Sequence, residues 1–173
     1  MEKVKLLPVK PFQETLGRGY CGPASLKMVL GYWNNEQNEE EVALRCKRDP
    51  ELGTDDTNLK EAAESYGFKV DIENNASFDS IQQWLERGIP VIVNWFTRGR
   101  TDYKDDEVPD GHYSVVVGLD VANIYLQDPE TGGLRILDRE DFMRVWFDFK
   151  PAYITSWEDM IIRQLIAVYP VTK

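Results

Sequence analysis

Two apolar runs in the second half of the chain constrain the fold most: Pro90–Phe96 (PVIVNWF) and His112–Gly118 (HYSVVVG). Each is short for a buried helix and rich in Val and Ile, whose branched side chains suit a pleated surface, so each reads as a buried strand. Asn123–Gln127, Leu134–Leu137 and residues 163–170 read as further strands, with Asp128-Pro-Glu-Thr-Gly-Gly as a turn between two of them. Short turns joining successive strands imply a mostly antiparallel sheet.

The first half has a different period. Leu26, Val29, Leu30 and Trp33 recur at helical spacing over residues 22–33, and Pro23 suits the first turn of that helix. Asn38 followed by EEEVALRC predicts a cap, an acidic first turn and a second helix. Thr57–Tyr66 predicts a third helix stopped by Gly67, and Phe68–Ile72 a strand. Ser77 with Ser80, Ile81, Trp84 and Leu85 predicts a fourth helix, and Asp138 caps one containing Phe142, Val145 and Trp146. The expectation is an α+β fold with helices in front of the sheet. The 173 residues suit one domain over 1–173, since domains commonly hold about 100–200 residues.

Composition narrows the function. Apolar residues make up 42%, enough for a core, and the formal net charge is -10. Nucleic acid is not an expected partner, because phosphate binding needs clustered Lys and Arg. The N-terminus, MEKVKLLPVKPFQE, has no sustained apolar core and no small-residue cleavage site, and no apolar run is long enough to span a bilayer. The chain is expected to be cytoplasmic and not membrane-embedded. Its two cysteines, Cys21 and Cys46, form no disulfide framework. With one His they supply only part of a zinc site, so no metal is expected.

Cys21 opens the first predicted helix, after a loop bearing Gly17 and Gly19. A thiolate is the nucleophile in cysteine chemistry, and unpaired N–H groups at a helix start favour it. His112, the single histidine, begins a buried strand after a long polar loop, where it can meet a helix end across a cleft and act as base. Asp128, before Pro129, follows a strand that plausibly pairs with the histidine strand and can fix the ring tautomer. Taken singly, each has a plainer reading: a small core residue, a surface histidine, a turn-starting aspartate. Cys46, within a helix, reads as structural.

The local sequences decide between these readings. Gln13 and Tyr20–Leu30 (YCGPASLKMVL) resemble the active-site segment of the bacteriocin-processing peptidases, papain-like cysteine peptidases that cut leader peptides after a double glycine. Gly111–Asp120 (GHYSVVVGLD) is similar to that family's histidine strand, Tyr125–Gly132 (YLQDPETG) to its Asp-Pro turn, and Gly88–Val93 to the strand before the histidine. The resemblance runs from about residue 11 to 147. It implies the papain-like cysteine proteinase fold, with Cys21 as nucleophile, His112 as general base and acid, and Asp128 as orienting carboxylate. It also implies Gln13 as side-chain donor to the oxyanion, although Gln13 lies farther before Cys21 than the family's usual gap. In the family this domain precedes a membrane transporter and its ATPase. No hydrophobic span or phosphate-binding Gly-rich Lys-Ser/Thr motif is present here, which predicts a free-standing form.

The expected activity is therefore cleavage of a peptide or amide bond through an acyl-enzyme, with no cofactor, since this chemistry needs neither metal nor organic group. Acyl transfer by the same residues is one alternative. A binding or regulatory module is another, with the charged loop TRGRTDYKDDEVPD as docking edge or lid. A third is redox sensing through Cys21 and Cys46. Tyr153 and Trp157 are aromatics without an assigned role.

Overall fold

The computed structural model describes residues 4–97, 110–150 and 154–171. Six strands form one antiparallel sheet: β1 (Phe68–Glu73), β2 (Val91–Phe96), β3 (Gly111–Leu119), β4 (Asn123–Asp128), β5 (Gly133–Asp138) and β8 (Gln164–Pro170), in the order β1-β8-β2-β3-β4-β5. Between β5 and β8 the chain adds β6 (Phe147–Phe149) and β7 (Met160–Ile162), a two-stranded ribbon that the sequence pattern did not reveal. These strands are three residues each, too short for a period to show.

Side-chain alternation divides the core between the two sheet faces. Ile92, Val115, Val117, Ile166 and Val168 point to one face, where they meet α1 (Cys21–Tyr32), α2 (Glu39–Arg45) and α3 (Asp56–Ser65). Val91, Val93, Trp95, Val116, Leu165 and Ala167 point to the other, against α4 (Phe78–Glu86) and α5 (Arg139–Val145). With both faces covered, β2 and β8 are apolar at nearly every position, which is why the sequence shows unbroken runs there. β1 and β5, at the sheet edges, alternate in burial instead.

Helix starts follow local chemistry. Asn38 accepts from the Glu40 N–H, Asp55 from Asn58, Ser77 from Ser80 in a reciprocal capping box, and Asp138 from Glu140 and Asp141. α1 is the exception: Tyr20 at its N-cap supplies no side-chain bond. Its start, which no N-cap side chain closes, stands at the end of the sheet where β3 begins and β4 ends.

The N-terminal segment runs over the sheet to that same end. The Leu7 N–H donates to the Val117 carbonyl at 2.8 Å, and Gln127 Nε2 to the Val9 carbonyl at 3.1 Å. The Glu14 N–H then donates to the Pro129 carbonyl at 2.9 Å, which lays residues 13–15 beside the β4–β5 turn.

Candidate active site

A cleft of about 670 Å³ opens between the start of α1, residues 50–54 and the start of β3. Cys21 and His112 both line it. They come from opposite sides of the sheet: α1 packs on one face, while His112 shares the other with Trp95. They meet because both stand at the sheet's end.

The imidazole is held on three sides. His112 Nε2 lies 2.7 Å from Asp128 Oδ1, and the indole of Trp95 meets the ring edge-on at 5.5 Å between centroids. Trp95 is in turn fixed by its Nε1–H, which donates to Ser114 Oγ at 3.1 Å. The Cys21 sulfur stands near enough to the ring to raise its proton affinity. With Nε2 committed to Asp128, Nδ1 is the nitrogen left to face it.

Electrostatics follow from this packing. Burial pulls the His112 proton affinity down, but the charge and hydrogen bond of Asp128, aided by Cys21, outweigh it. The histidine is held well above its ordinary value, so the imidazolium is the favoured form. Burial pushes Asp128 up, and the His112 charge and bond, the Arg135 charge and the Glu130 N–H bring it below the usual carboxylate range. Arg135 Nε lies 3.0 Å from Asp128 Oδ2, and its Nη2 lies 3.7 Å from Glu130 Oε2. Arg135 carries no sequence signal; it faces Asp128 only because β5 pairs with β4.

His112, Asp128 and Glu130 offer ligand atoms within 4.8 Å of one another. They suit an ion pair network better than a metal. The histidine nitrogen is already bonded to Asp128, and the Arg135 guanidinium would repel a cation beside both carboxylates.

Gln13 is not brought to this cleft. Its side chain is exposed, Nε2 donates to the Glu130 carbonyl at 3.2 Å, and its Cβ packs against Gly132. Gly132 has φ +66°, and a Cβ there would come within 2.7 Å of the Gln13 Cβ. The neighbouring residue, Glu14, lines the cleft instead. Burial raises its carboxyl to about 7; the His112 charge opposes that rise, and those of Asp128, Glu130 and Glu39 add to it.

Both cysteines are free. Cys46 lies in the core under α1–α3, where burial pushes its thiol up to about 12, leaving no thiolate for redox chemistry at neutral pH. Most of the loop between β2 and β3, residues 98–109, and Tyr153 lie outside the described residues. Trp157 is 88% exposed and does not line the cleft.

A model of the Peptidase_C39 like family matches residues 6–154. The fold is similar to that of the peptidase domain of Streptococcus ComA, a bi-functional ABC transporter involved in a quorum sensing pathway. That match has 21% identity and a TM-score of 0.68, and covers 94% of this chain and 99% of that one. It is also similar to a protein described as a C39-like peptidase from Bacillus anthracis, with 17% identity and a TM-score of 0.73, over 99% of this chain and 100% of that one. A third structure is a double glycine motif protease from an AMS/PCAT transporter, solved with its leader peptide. It has 21% identity and a TM-score of 0.64, over 98% of this chain and 93% of that one. At these identities the likeness is one of fold, and it bears out the α+β papain-like expectation. No curated protein matches the chain in sequence.

Proposed function

The chain belongs to the Peptidase_C39 like family, and from that premise we propose that it is a thiol hydrolase that cleaves a peptide or amide bond at Cys21. Family and fold support a cysteine peptidase-like function. The observation that carries the residue assignment is the His112 ring, with Asp128 on Nε2 and the Cys21 thiol as its other polar neighbour.

In this reading His112 Nδ1 already holds the proton drawn from Cys21 Sγ, and the thiolate sulfur attacks the substrate carbonyl carbon. The carbonyl electron pair moves onto oxygen, where the N–H groups at the uncapped start of α1 stabilise it. The intermediate collapses, the C–N bond breaks, and the imidazolium protonates the departing amine. Water, deprotonated by His112, then hydrolyses the thioester and restores the thiol. Asp128 keeps the tautomer that presents Nδ1 to sulfur, and Arg135 holds Asp128.

Peptides are the first substrate class to try, since the double glycine motif protease of the same fold was solved with a leader peptide. Among the described residues no helix is long and apolar enough to cross a membrane. The two free thiols suit a reducing compartment such as the cytoplasm.

The test is the alkylation rate of each cysteine by iodoacetamide, mapped by peptide mass from pH 5 to 9. Cys21 should react at least about tenfold faster than Cys46 at pH 6.5, and His112→Ala should remove that advantage. Equal, slow rates for both thiols in the wild type would refute the assignment.

A further inference from the structure

Glu14 is a cleft residue whose chemistry the hydrolase reading leaves unused. Its placement is fixed from both sides. Gln13 Nε2 bonds the Glu130 carbonyl, the Glu14 N–H bonds the Pro129 carbonyl, and the Thr15 N–H and hydroxyl bond Glu39 at 3.0 and 2.8 Å. Gln13 and Thr15 are exposed, while Glu14 between them is half-buried and lines the cleft with Cys21 and His112. Its Oε2 is sealed from solvent and accepts no hydrogen bond among the described residues.

A buried carboxylate oxygen without a donor, in a negatively charged setting, is favoured as the neutral acid. The groups that face it are His112 on β3, Asp128 at the end of β4, Glu130 on the turn and Glu39 on α2. Arg135 is already paired with Asp128 and Glu130. A neutral carboxyl carries an O–H, which it can donate to a ligand in the cleft.

We propose that the Glu14 carboxylic acid donates the side-chain hydrogen bond to the oxyanion formed at Cys21, the role the sequence assigned to Gln13. This rests on the hydrolase reading. As Cys21 sulfur bonds the carbonyl carbon, the carbonyl π pair moves onto oxygen, and the new anion accepts from the Glu14 O–H and the Cys21 N–H. Glu14 keeps its proton throughout, and the leaving group takes one from His112 if it needs it. Since burial raises Glu14 to about 7, the donor is present below that pH and is replaced by a repelling carboxylate above it.

The test separates carbonyl attack from thiol reactivity. Acylation of Cys21 by p-nitrophenyl acetate, read as the burst of p-nitrophenolate, forms an oxyanion; alkylation by iodoacetamide forms none. The acylation-to-alkylation ratio is measured from pH 5 to 9 for wild type, Glu14→Gln and Glu14→Ala. The wild-type ratio should fall about tenfold or more as pH rises through about 7. Glu14→Gln carries a permanent N–H donor, so its ratio should stay level and exceed the wild-type ratio at pH 8.5. Glu14→Ala should lower the ratio about 100-fold at pH 6, with alkylation retained as proof of an intact site. A wild-type ratio independent of pH, or a Glu14→Ala ratio equal to wild type while Cys21 still alkylates rapidly, overturns the role of Glu14 and leaves the hydrolase reading standing. If wild-type Cys21 neither acylates nor alkylates faster than Cys46, the hydrolase reading fails and this inference with it.

Discussion

Asp128→Asn isolates the electrostatic half of the candidate site. Asparagine keeps the size and leaves an acceptor for His112 Nε2–H, but removes the charge that overcomes burial at the histidine. A single opposite charge at this range moves a pKa by roughly 1–3 units. Removing it should lower the His112 midpoint by at least about 1 unit, equivalent to about 1.4 kcal/mol in the preference for the imidazolium. The chain has one histidine, so imidazole NMR reads the titration without assignment. The stability consequence has a definite sign. His112 is raised in the native state, so its contribution is fully present below its unfolded value near 6.5 and fades as pH rises through the native one. Asp128 is lowered, so its contribution is present above its unfolded value and is lost as pH falls through the native one. The urea-measured gap between wild type and Asp128→Asn should thus be widest near pH 6, and narrow towards both extremes. An unchanged His112 midpoint, or a gap that is flat with pH, would refute the coupling.

Other substitutions test the scaffold. Asp128→Ala removes the carboxylate paired with buried His112 and one of the two that face Arg135, and should lower urea stability at pH 7 by about 3–5 kcal/mol; a loss below about 1 kcal/mol would mean the pairs behave as surface ones. Phe142 is fully buried against Phe78, Trp95 and Trp146, so Phe142→Ala should cost about 3–5 kcal/mol and lower the thermal midpoint accordingly. Asp138→Ala removes the cap that serves two N–H groups of α5, a loss of about 1 kcal/mol readable by denaturation. Cys46→Ala should leave the Cys21 alkylation rate and its pH profile unchanged, because the buried Cys46 thiol takes no part in the cleft.

Much of this molecule was legible in the chain itself, for local reasons. Helix starts at Asn38, Ser77 and Asp138 are set by side chains that reach only two or three residues along. The central strands declare themselves because burial on both faces demands unbroken apolar residues. Cys21 at the head of α1, His112 at the start of β3 and Asp128 at the end of β4 stand where the reading of the sequence put them. β6 and β7 did not show, since three residues carry no period.

What the sequence could not decide is direction and distance across the sheet's end. Neighbouring residues in an extended segment face opposite ways, so whether Gln13 or Glu14 enters the cleft depends on register against the β4–β5 turn. That register is set by Pro129, Glu130 and Gly132, more than a hundred residues away. Arg135 reaches Asp128 by strand pairing, and Trp95 meets His112 because β2 and β3 bring them opposite each other. The chemistry-bearing residue types were fixed by the sequence alone. Which of their atoms face one another, and therefore which are charged, was decided only when the strands paired and water was excluded from between them.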